Sequence, residues 1–324
     1  MVAQGGDREE VRKDEAGLVF MGTPSFAAVI LKNLLAGGWK VLGVVTQPDR
    51  ARGRGRRVSP SPVKEVALER GLPVLQPASL KEPGFGEALR HLAPDLVVTA
   101  AYGRILPQRV LSLPPLGCFN VHASLLPAYR GAAPIPWALL RGEQETGITI
   151  FRMDKGMDTG DVLLARPLTI RPGETAGELT GRLALLACEI LPEALELLIR
   201  GRAALVPQDH ARATDAPPLT KEQGRIDWGL PAREICNRIR AFDPWPGAFT
   251  FLQEKKLNLW EAEALPRAGT GSPGEILAAA ADGLQVKTGD GVLRVLSLQI
   301  EGKKRMMVAD FLRGHPVGVG EKLG

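Results

Sequence analysis

Cysteine is scarce: Cys118, Cys188 and Cys236 are the three in a chain of 324 residues. They lie far apart, with no CxxC spacing and no histidines close by, which excludes a disulfide framework and a structural zinc site and points to a reducing compartment. Long apolar runs are also missing. The most apolar segment, LTGRLALLACEILPEALELLIRG, is broken by Arg182, Glu189 and Glu193, whereas a membrane span needs roughly 18 or more consecutive apolar residues. Membrane insertion is therefore not expected. The N-terminal MVAQGGDREEVRKDEAG has no hydrophobic signal core, and Asp7, Glu9, Glu10, Asp14 and Glu15 are foreign to an acid-poor transit peptide. Residues 1–16 read as a charged, solvated tail, and a cytoplasmic protein is expected. Phosphate-binding fingerprints are missing too. The first strand-turn-helix, LVFMGTPSFAA, lacks GxGxxG, GRGRRV fails it, and no GxxxxGK followed by Ser or Thr occurs, so neither a dinucleotide site nor a P-loop is supported.

What is present is the composition of a globular protein, 44% hydrophobic and 24% charged, enough for a full core. The length suits two domains. From Leu18 short apolar runs alternate with amphipathic stretches: LVFM, then PSFAAVILKNLLAGG with Phe26, Val29, Ile30 and Leu34 at helical spacing, then VLGVVT. SPVKEVALERG, GFGEALRHLAP, RILPQRVLSL and PIPWALLRG continue as helices, and LPVL, DLVVTA, GCFNVH and GITIFRM as strands. The expected fold class is α/β, a doubly wound, mostly parallel sheet with helices on both faces. A long helix or kinked helix pair over 177–201, with Pro192 inside, closes this region. Residues 206–220, poor in apolar side chains and containing prolines, read as a linker. Short alternating segments follow, with hairpin signals at Asp282-Gly283 and Gly289-Asp290-Gly291; a small barrel of the oligonucleotide-binding (OB) type and a plain β-sandwich both fit. The expected organisation is thus 1–16 tail, 17–205 α/β domain, 206–220 linker and 221–324 C-terminal β domain.

Two features carry chemistry. Asn120 and His122 are two apart on a strand, so they face one side, and they stand at the carboxyl end of a parallel strand, where open α/β sheets place their ligand crevices. The glycine-punctuated loop in GITIFRMDKGMDTGDVLLARPLTI brings Asp154, Asp158 and Asp161 within reach of a neighbouring strand end. An amide, an imidazole and a carboxylate, with no serine, cysteine or lysine beside them, suit attack by an external amine on a carbonyl rather than acyl-enzyme chemistry. One histidine and one loop acid are too few to hold a metal. The second feature is charge. The net charge is +5, and RARGRGRR at 50–57 alone has five arginines and no acid, as a local phosphate-seeking arm would.

MGTPSFAA, TQPDRARGRGRRVSPSPVK, AAYGRILP, GCFNVHASLLPAYRGAAPI, ETGITIFRMDKGMDTGDVL, RIDW, IRAFDPWPGA and GVLRVLSLQ closely resemble the methionyl-tRNA formyltransferase family over nearly the whole chain from Leu18. The NVH-SLLP-RG block marks the wider superfamily that uses 10-formyltetrahydrofolate; the arginine run, PWPG and the C-terminal domain resemble the tRNA enzymes. The resemblance implies formyl transfer from 10-formyltetrahydrofolate to the α-amine of methionine on initiator tRNA, without a metal. It implies Asn120 and His122 as oxyanion stabilisers, Asp158 as the carboxylate that orients water and histidine, and Ser124, Leu125, Leu126 and Pro127 as the folate-binding turn. Arg50, Arg52, Arg54, Arg56 and Arg57 would enter the groove of the tRNA acceptor stem, with Arg54 foremost; on the C-terminal barrel, Lys303, Lys304 and Arg305 are candidates for nonspecific contact with the tRNA backbone, or simply a solvated hairpin end. A monomer is expected. Ala123 replaces a glycine common in the family, with little consequence expected, and the tail is longer than usual. Arg152, Asp154, Lys155 and Asp161 are assigned to loop and surface support, and Trp245 to packing as a domain anchor in preference to a contact with the tRNA. The competing readings are a sugar formyltransferase or formyl hydrolase, against which the arginine run and barrel argue, and a non-catalytic RNA-binding protein, against which the intact Asn-His-Asp set argues.

Overall fold

The computed structural model describes residues 13–52, 57–265 and 270–324. Most of the charged tail, and Arg54 and Arg56 of the basic run, therefore lie outside the described residues. The first elements in chain order are β1 (Leu18–Gly22), α1 (Ser25–Ala36), β2 (Val41–Val45), β3 (Arg50–Arg52), β4 (Arg57–Ser59), α2 (Pro62–Glu69), β5 (Val74–Leu75) and α3 (Pro83–Leu92). They continue with β6 (Leu96–Ala100), α4 (Gln108–Leu111), β7 (Cys118–His122), α5 (Pro134–Leu140), β8 (Glu145–Arg152), β9 (Val162–Thr169) and α6 (Ala176–Ile199). After these come α7 (Ala232–Ala241), β10 (Ala248–Leu252), β11 (Lys255–Leu265), β12 (Ile276–Ala280), β13 (Gly283–Lys287), β14 (Val292–Ile300), β15 (Met306–Met307) and α8 (Val308–Gly314). The chain divides into two compact units. One holds the described residues up to Ala132 with Glu145–Thr169 and Thr180–Ala216; the other holds Ala133–Gln144, Ile170–Leu179 and Pro217–Gly324.

The first unit is built on a seven-stranded sheet in the order β5-β2-β1-β6-β7-β8-β9. β1 and β6 are buried at every residue, which is why they read as continuous apolar runs instead of alternating ones. β5, β2, β1, β6 and β7 are parallel, whereas β8 runs antiparallel to β7 and β9 antiparallel to β8. The mostly parallel, doubly wound expectation holds, with this antiparallel edge as its exception. A parallel return to the sheet needs a crossover packed against it. The only helix between β7 and β8 is α5, seven residues that group with the other unit.

Two helix readings are corrected. In RILPQRVLSL only Gln108–Leu111 is helical, because the residue before Pro107 is disfavoured in the helical region, and Ile105–Pro107 stays outside the helix with Pro107 extended. Val29 is 38% exposed, and Phe26, Ala27, Ile30, Leu31 and Leu34 form the buried face of α1. The 24-residue α6 runs through Pro192 as one helix.

The second unit is an antiparallel sheet in the order β10-β11-β14-β13-β12, with β15 on β14. The chain's last residues join its two edges: the Ile276 N–H donates to the Glu321 carbonyl and the Gly324 N–H to the Phe251 carbonyl. This bridging describes a barrel-like circuit and not two stacked sheets. Ile235 and Ile239 are the buried face of α7. Trp245 departs from the packing expectation, being 53% exposed, whereas Phe242, at the end of α7, is 1% exposed. Arg305 is committed: it bonds Asp243 Oδ2 at 3.0 Å and Ser297 Oγ at 3.1 Å and lies over the Trp260 ring. Lys303 and Lys304 are exposed.

Candidate active site

The site begins with strand register. Thr99 on β6 stands beside Asn120 on β7, and its hydroxyl donates to Asn120 Oδ1 at 2.6 Å. With its oxygen engaged, the amide has its two N–H donors left to offer. Asn120 is half-buried. His122, two residues on and 5% exposed, donates from Nε2 to the Tyr129 carbonyl at 2.9 Å; a carbonyl can only accept, so this bond sets the tautomer. Nδ1 is thereby turned toward Asp158, whose Oδ2 is 3.6 Å away. Phe151 packs edge-on against the imidazole.

Asp158 is held by backbone. Its Oδ2 accepts the Gly131 N–H at 2.8 Å. Its loop is closed from within, as Asp154 Oδ1 accepts the Gly156 N–H at 2.9 Å and the Thr159 hydroxyl at 2.7 Å. Asp154 therefore supports the loop, as expected of it. Gly131 has φ of +120°, and a Cβ there would meet the Ala216 carbonyl oxygen at 2.8 Å. Only glycine lets the chain pass so close while aiming that N–H at the carboxylate.

The turn after His122 is equally determined. Ser124 is fully buried, and its hydroxyl donates to the Ala128 carbonyl at 2.6 Å. The Thr149 hydroxyl donates to the Ser124 carbonyl at 2.7 Å and accepts the Leu126 N–H at 3.0 Å. Ser124 thus shapes the turn with its hydroxyl, while Leu125, Leu126 and Pro127 are half-buried on it. Met157, next to Asp158, is 56% exposed.

The stretch 206–220 does more than connect. Arg130 donates its N–H to the Thr214 carbonyl, the Ala216 N–H donates to the Arg130 carbonyl, and the Tyr129 N–H donates to Thr214 Oγ1. Gln208 is buried beside them. Sequence reasoning passed over Gln208, Thr214 and Thr99. For Thr99 a signal was there, a lone polar residue in the run LVVTA. For Gln208 and Thr214, in a polar stretch, there was none.

Cys118 opens β7, and burial pushes its thiol up to about 12, with the Arg152 charge pulling slightly back. It is no thiolate nucleophile near neutral pH. Among the described residues, no three His, Cys, Asp or Glu side chains are grouped to hold a metal ion, and no helix is long and apolar enough to cross a membrane.

The basic run forms a second feature. β3 and β4 pair as a hairpin with Arg50 opposite Ser59 and Arg52 opposite Arg57, and Arg50 is exposed. Its base is pinned: Lys64 Nζ meets Asp49 Oδ2 at 2.6 Å and Gln76 Oε1 at 2.8 Å, and Gln76 Nε2 donates to Asp49 Oδ1 at 2.7 Å.

Comparison with known proteins adds the lineage. The sequence matches the family model described as formyl transferase over residues 17–195 and the one described as formyl transferase, C-terminal domain, over residues 218–316. A methionyl-tRNA formyltransferase of Ruminiclostridium cellulolyticum is 48% identical over 309 residues, covering 95% of this chain and 99% of that protein. One of Caldanaerobacter subterraneus is 51% identical over 304 residues, covering 94% and 98%. Among solved structures, HypX from Aquifex aeolicus in complex with tetrahydrofolic acid aligns with a TM-score of 0.64 at 21% identity, over 94% of this chain and 48% of that one. That likeness speaks to the fold; the chain spans about half the length of that structure.

Proposed function

The chain belongs to the formyl transferase family, and we propose that it moves the formyl group of 10-formyltetrahydrofolate to the free α-amine of methionine esterified to initiator tRNA. The observation that carries this reading is the convergence of Asn120, His122 and Asp158 at the end of β7, with Asn120 oriented by Thr99 and Asp158 by Gly131. The near-full-length likeness to methionyl-tRNA formyltransferases supports the acceptor.

Folate supplies the formyl carbon, bonded to nitrogen. As the neutral amine attacks, negative charge develops on the formyl oxygen. The Asn120 amide is the fixed donor toward that charge, and it needs no reorganisation because its oxygen is already bound. His122 becomes a second donor when Nδ1 is protonated, with Asp158 beside it to balance the charge. The Asp158 carboxylate, held through Oδ2 by the Gly131 N–H, takes or relays the amine proton, directly or through water. In balance, the carbon gains a bond to the methionine nitrogen and loses its bond to the folate nitrogen, which ends with the proton.

For the folate, the exposed apolar side chain of Met157 beside the catalytic acid fits a flat aromatic ring. Leu125, Leu126 and Pro127 would line its site, with Ser124 acting through the shape of the turn. Arg50, Arg52, Arg54, Arg56 and Arg57 would grip the acceptor stem, residues 17–205 would carry the chemistry, and the barrel at 221–324 would add contact with the tRNA backbone. The protein would work as a monomer in the cytoplasm, where charged initiator tRNA is found.

Single-turnover transfer of labelled formyl from 10-formyltetrahydrofolate tests this, with charged initiator tRNA, an amino-sugar nucleotide and water offered in parallel. Transfer to the tRNA alone is expected. Transfer to the sugar, or release of formate, would overturn the acceptor.

A further inference from the structure

We propose that Gln208 is a positioning residue that holds Asp158 against His122. Its side chain is 8% exposed and its amide is fully used. Nε2 donates to the carbonyls of Asp158 at 2.9 Å and Gly160 at 2.7 Å, while Oε1 accepts from Arg130 Nε at 3.2 Å and Nη2 at 2.7 Å. Arg130 lies between the two residues that set the reacting pair. Tyr129 before it accepts from His122 Nε2, and Gly131 after it donates to Asp158 Oδ2. One buried amide thus ties the loop that orients His122 to the loop that carries Asp158.

Asp158 needs such a tie. Its φ is +54°, a left-handed conformation that a residue other than glycine keeps only when its surroundings over-determine it. The two Nε2 bonds fix the carbonyls on either side of Thr159, so the carboxylate cannot swing without breaking buried bonds. No other side chain type serves. A carboxylate accepts but cannot donate to the two carbonyls, an aliphatic chain takes a partner from both carbonyls and from the Arg130 guanidinium, which keeps His210 Nδ1 at 3.0 Å, and asparagine is one methylene short. The amide acts on catalysis only by position, through the Asp158 loop with its Nε2 and through the Tyr129–Gly131 turn with its Oε1, and touches no reacting atom.

Gln208→Glu is the discriminating variant, since it keeps the length and the acceptors for Arg130 while removing both donors. The expected result is a fall in kcat of about 10²-fold, the scale of a misplaced catalytic group, with KM for both substrates within about twofold. In an Asp158→Ala background the same change should add less than about twofold, because the residue it positions is gone. Isotope-edited NMR of the histidine ring nitrogens gives a readout apart from activity. His122 signals in Gln208→Glu should move toward those of Asp158→Ala. If Gln208→Glu does not fold, Gln208→Ala, which admits water to the freed carbonyls, carries the same comparisons. Unchanged kcat, an equal loss in the Asp158→Ala background, or unshifted His122 signals would each overturn the proposal. The rate arm rests on the formyl-transfer reading. A wild type without transfer would sink that reading and leave the NMR arm to decide this one.

Discussion

The cluster at the end of β7 and the arginine hairpin both present polar groups to a ligand, and they do so by opposite means. Around Asn120, His122 and Asp158 every group is tied to a named partner: Thr99 holds the amide, the Tyr129 carbonyl the imidazole, the Gly131 N–H the carboxylate. The hairpin is pinned at its base by Asp49, Lys64 and Gln76, and the segment 50–57 carries five arginines with no acid. Catalysis depends on direction, because a donor acts on developing charge only from the right place. Attraction to a polyanion depends on charge density, which tolerates many side-chain arrangements. The two regions should therefore fail differently when altered.

The largest effect should come from the directional region. Asn120→Ala should lower single-turnover formyl transfer by about 10²–10³-fold, and His122→Ala or Asp158→Ala by about 10²–10⁴-fold, with tRNA affinity and its salt dependence unchanged. A near-wild-type rate in any of them would end the distinction. Next in size is the hairpin. The affinity for tRNA should fall with salt along a log–log slope on the order of −2 to −4, and Arg50→Ala or Arg54→Ala should each flatten it by about 1. Their kcat at saturating tRNA should hold; a lost kcat with an unchanged slope would mean that the hairpin, too, works by geometry.

A smaller effect probes the orientation of one amide. Thr99→Val keeps the shape of β6 and removes the donor to Asn120, worth about 1 kcal/mol, or roughly fivefold in kcat; Thr99→Ser should restore it. The smallest effect separates β7's chemistry from its support. Burial raises the folded Cys118 thiol to about 12, against about 8.5 in an unfolded chain. A raised folded pKa means a contribution complete below about pH 8.5 and lost as pH climbs toward the folded value, with a slope nearing 1.4 kcal/mol per pH unit. Cys236, also raised to about 12 by burial, adds a like term. Cys118→Ala should leave kcat alone and remove one of the three thiol contributions, Cys188 also being raised by burial, so that the slope in urea unfolding between about pH 9 and 11 becomes shallower.

Much of the fold was legible because burial on both faces writes itself as apolar runs. LVFM and LVVTA are buried throughout, and the strand-helix alternation leads directly to the parallel part of the sheet. The antiparallel turn into β8 was not legible, since GITIFRM is equally apolar in either direction. Trp245, for which packing was preferred to a tRNA contact, is 53% exposed, and nothing in the residues around it distinguishes the two. In the site, Asn120 and His122 could be paired from their spacing on one strand, and the loop acids could be named as a group. Arg54 and Arg56 lie outside the described residues, so charge remains the ground for their role.

The amino-acid sequence by itself determined the buried strands, the two-residue spacing that sets Asn120 and His122 side by side, the concentration of positive charge in 50–57 and the family. These are local, since they depend on periodicity and composition within a few residues. Tertiary structure alone decided which nitrogen of His122 faces Asp158, that the Thr99 hydroxyl engages the Asn120 amide oxygen, and that Gln208, 50 residues along the chain from Asp158, bonds that residue's loop. A hydrogen bond joins atoms about 3 Å apart in space whatever their separation in sequence, so its partners emerge only once the sheet has brought the loops together.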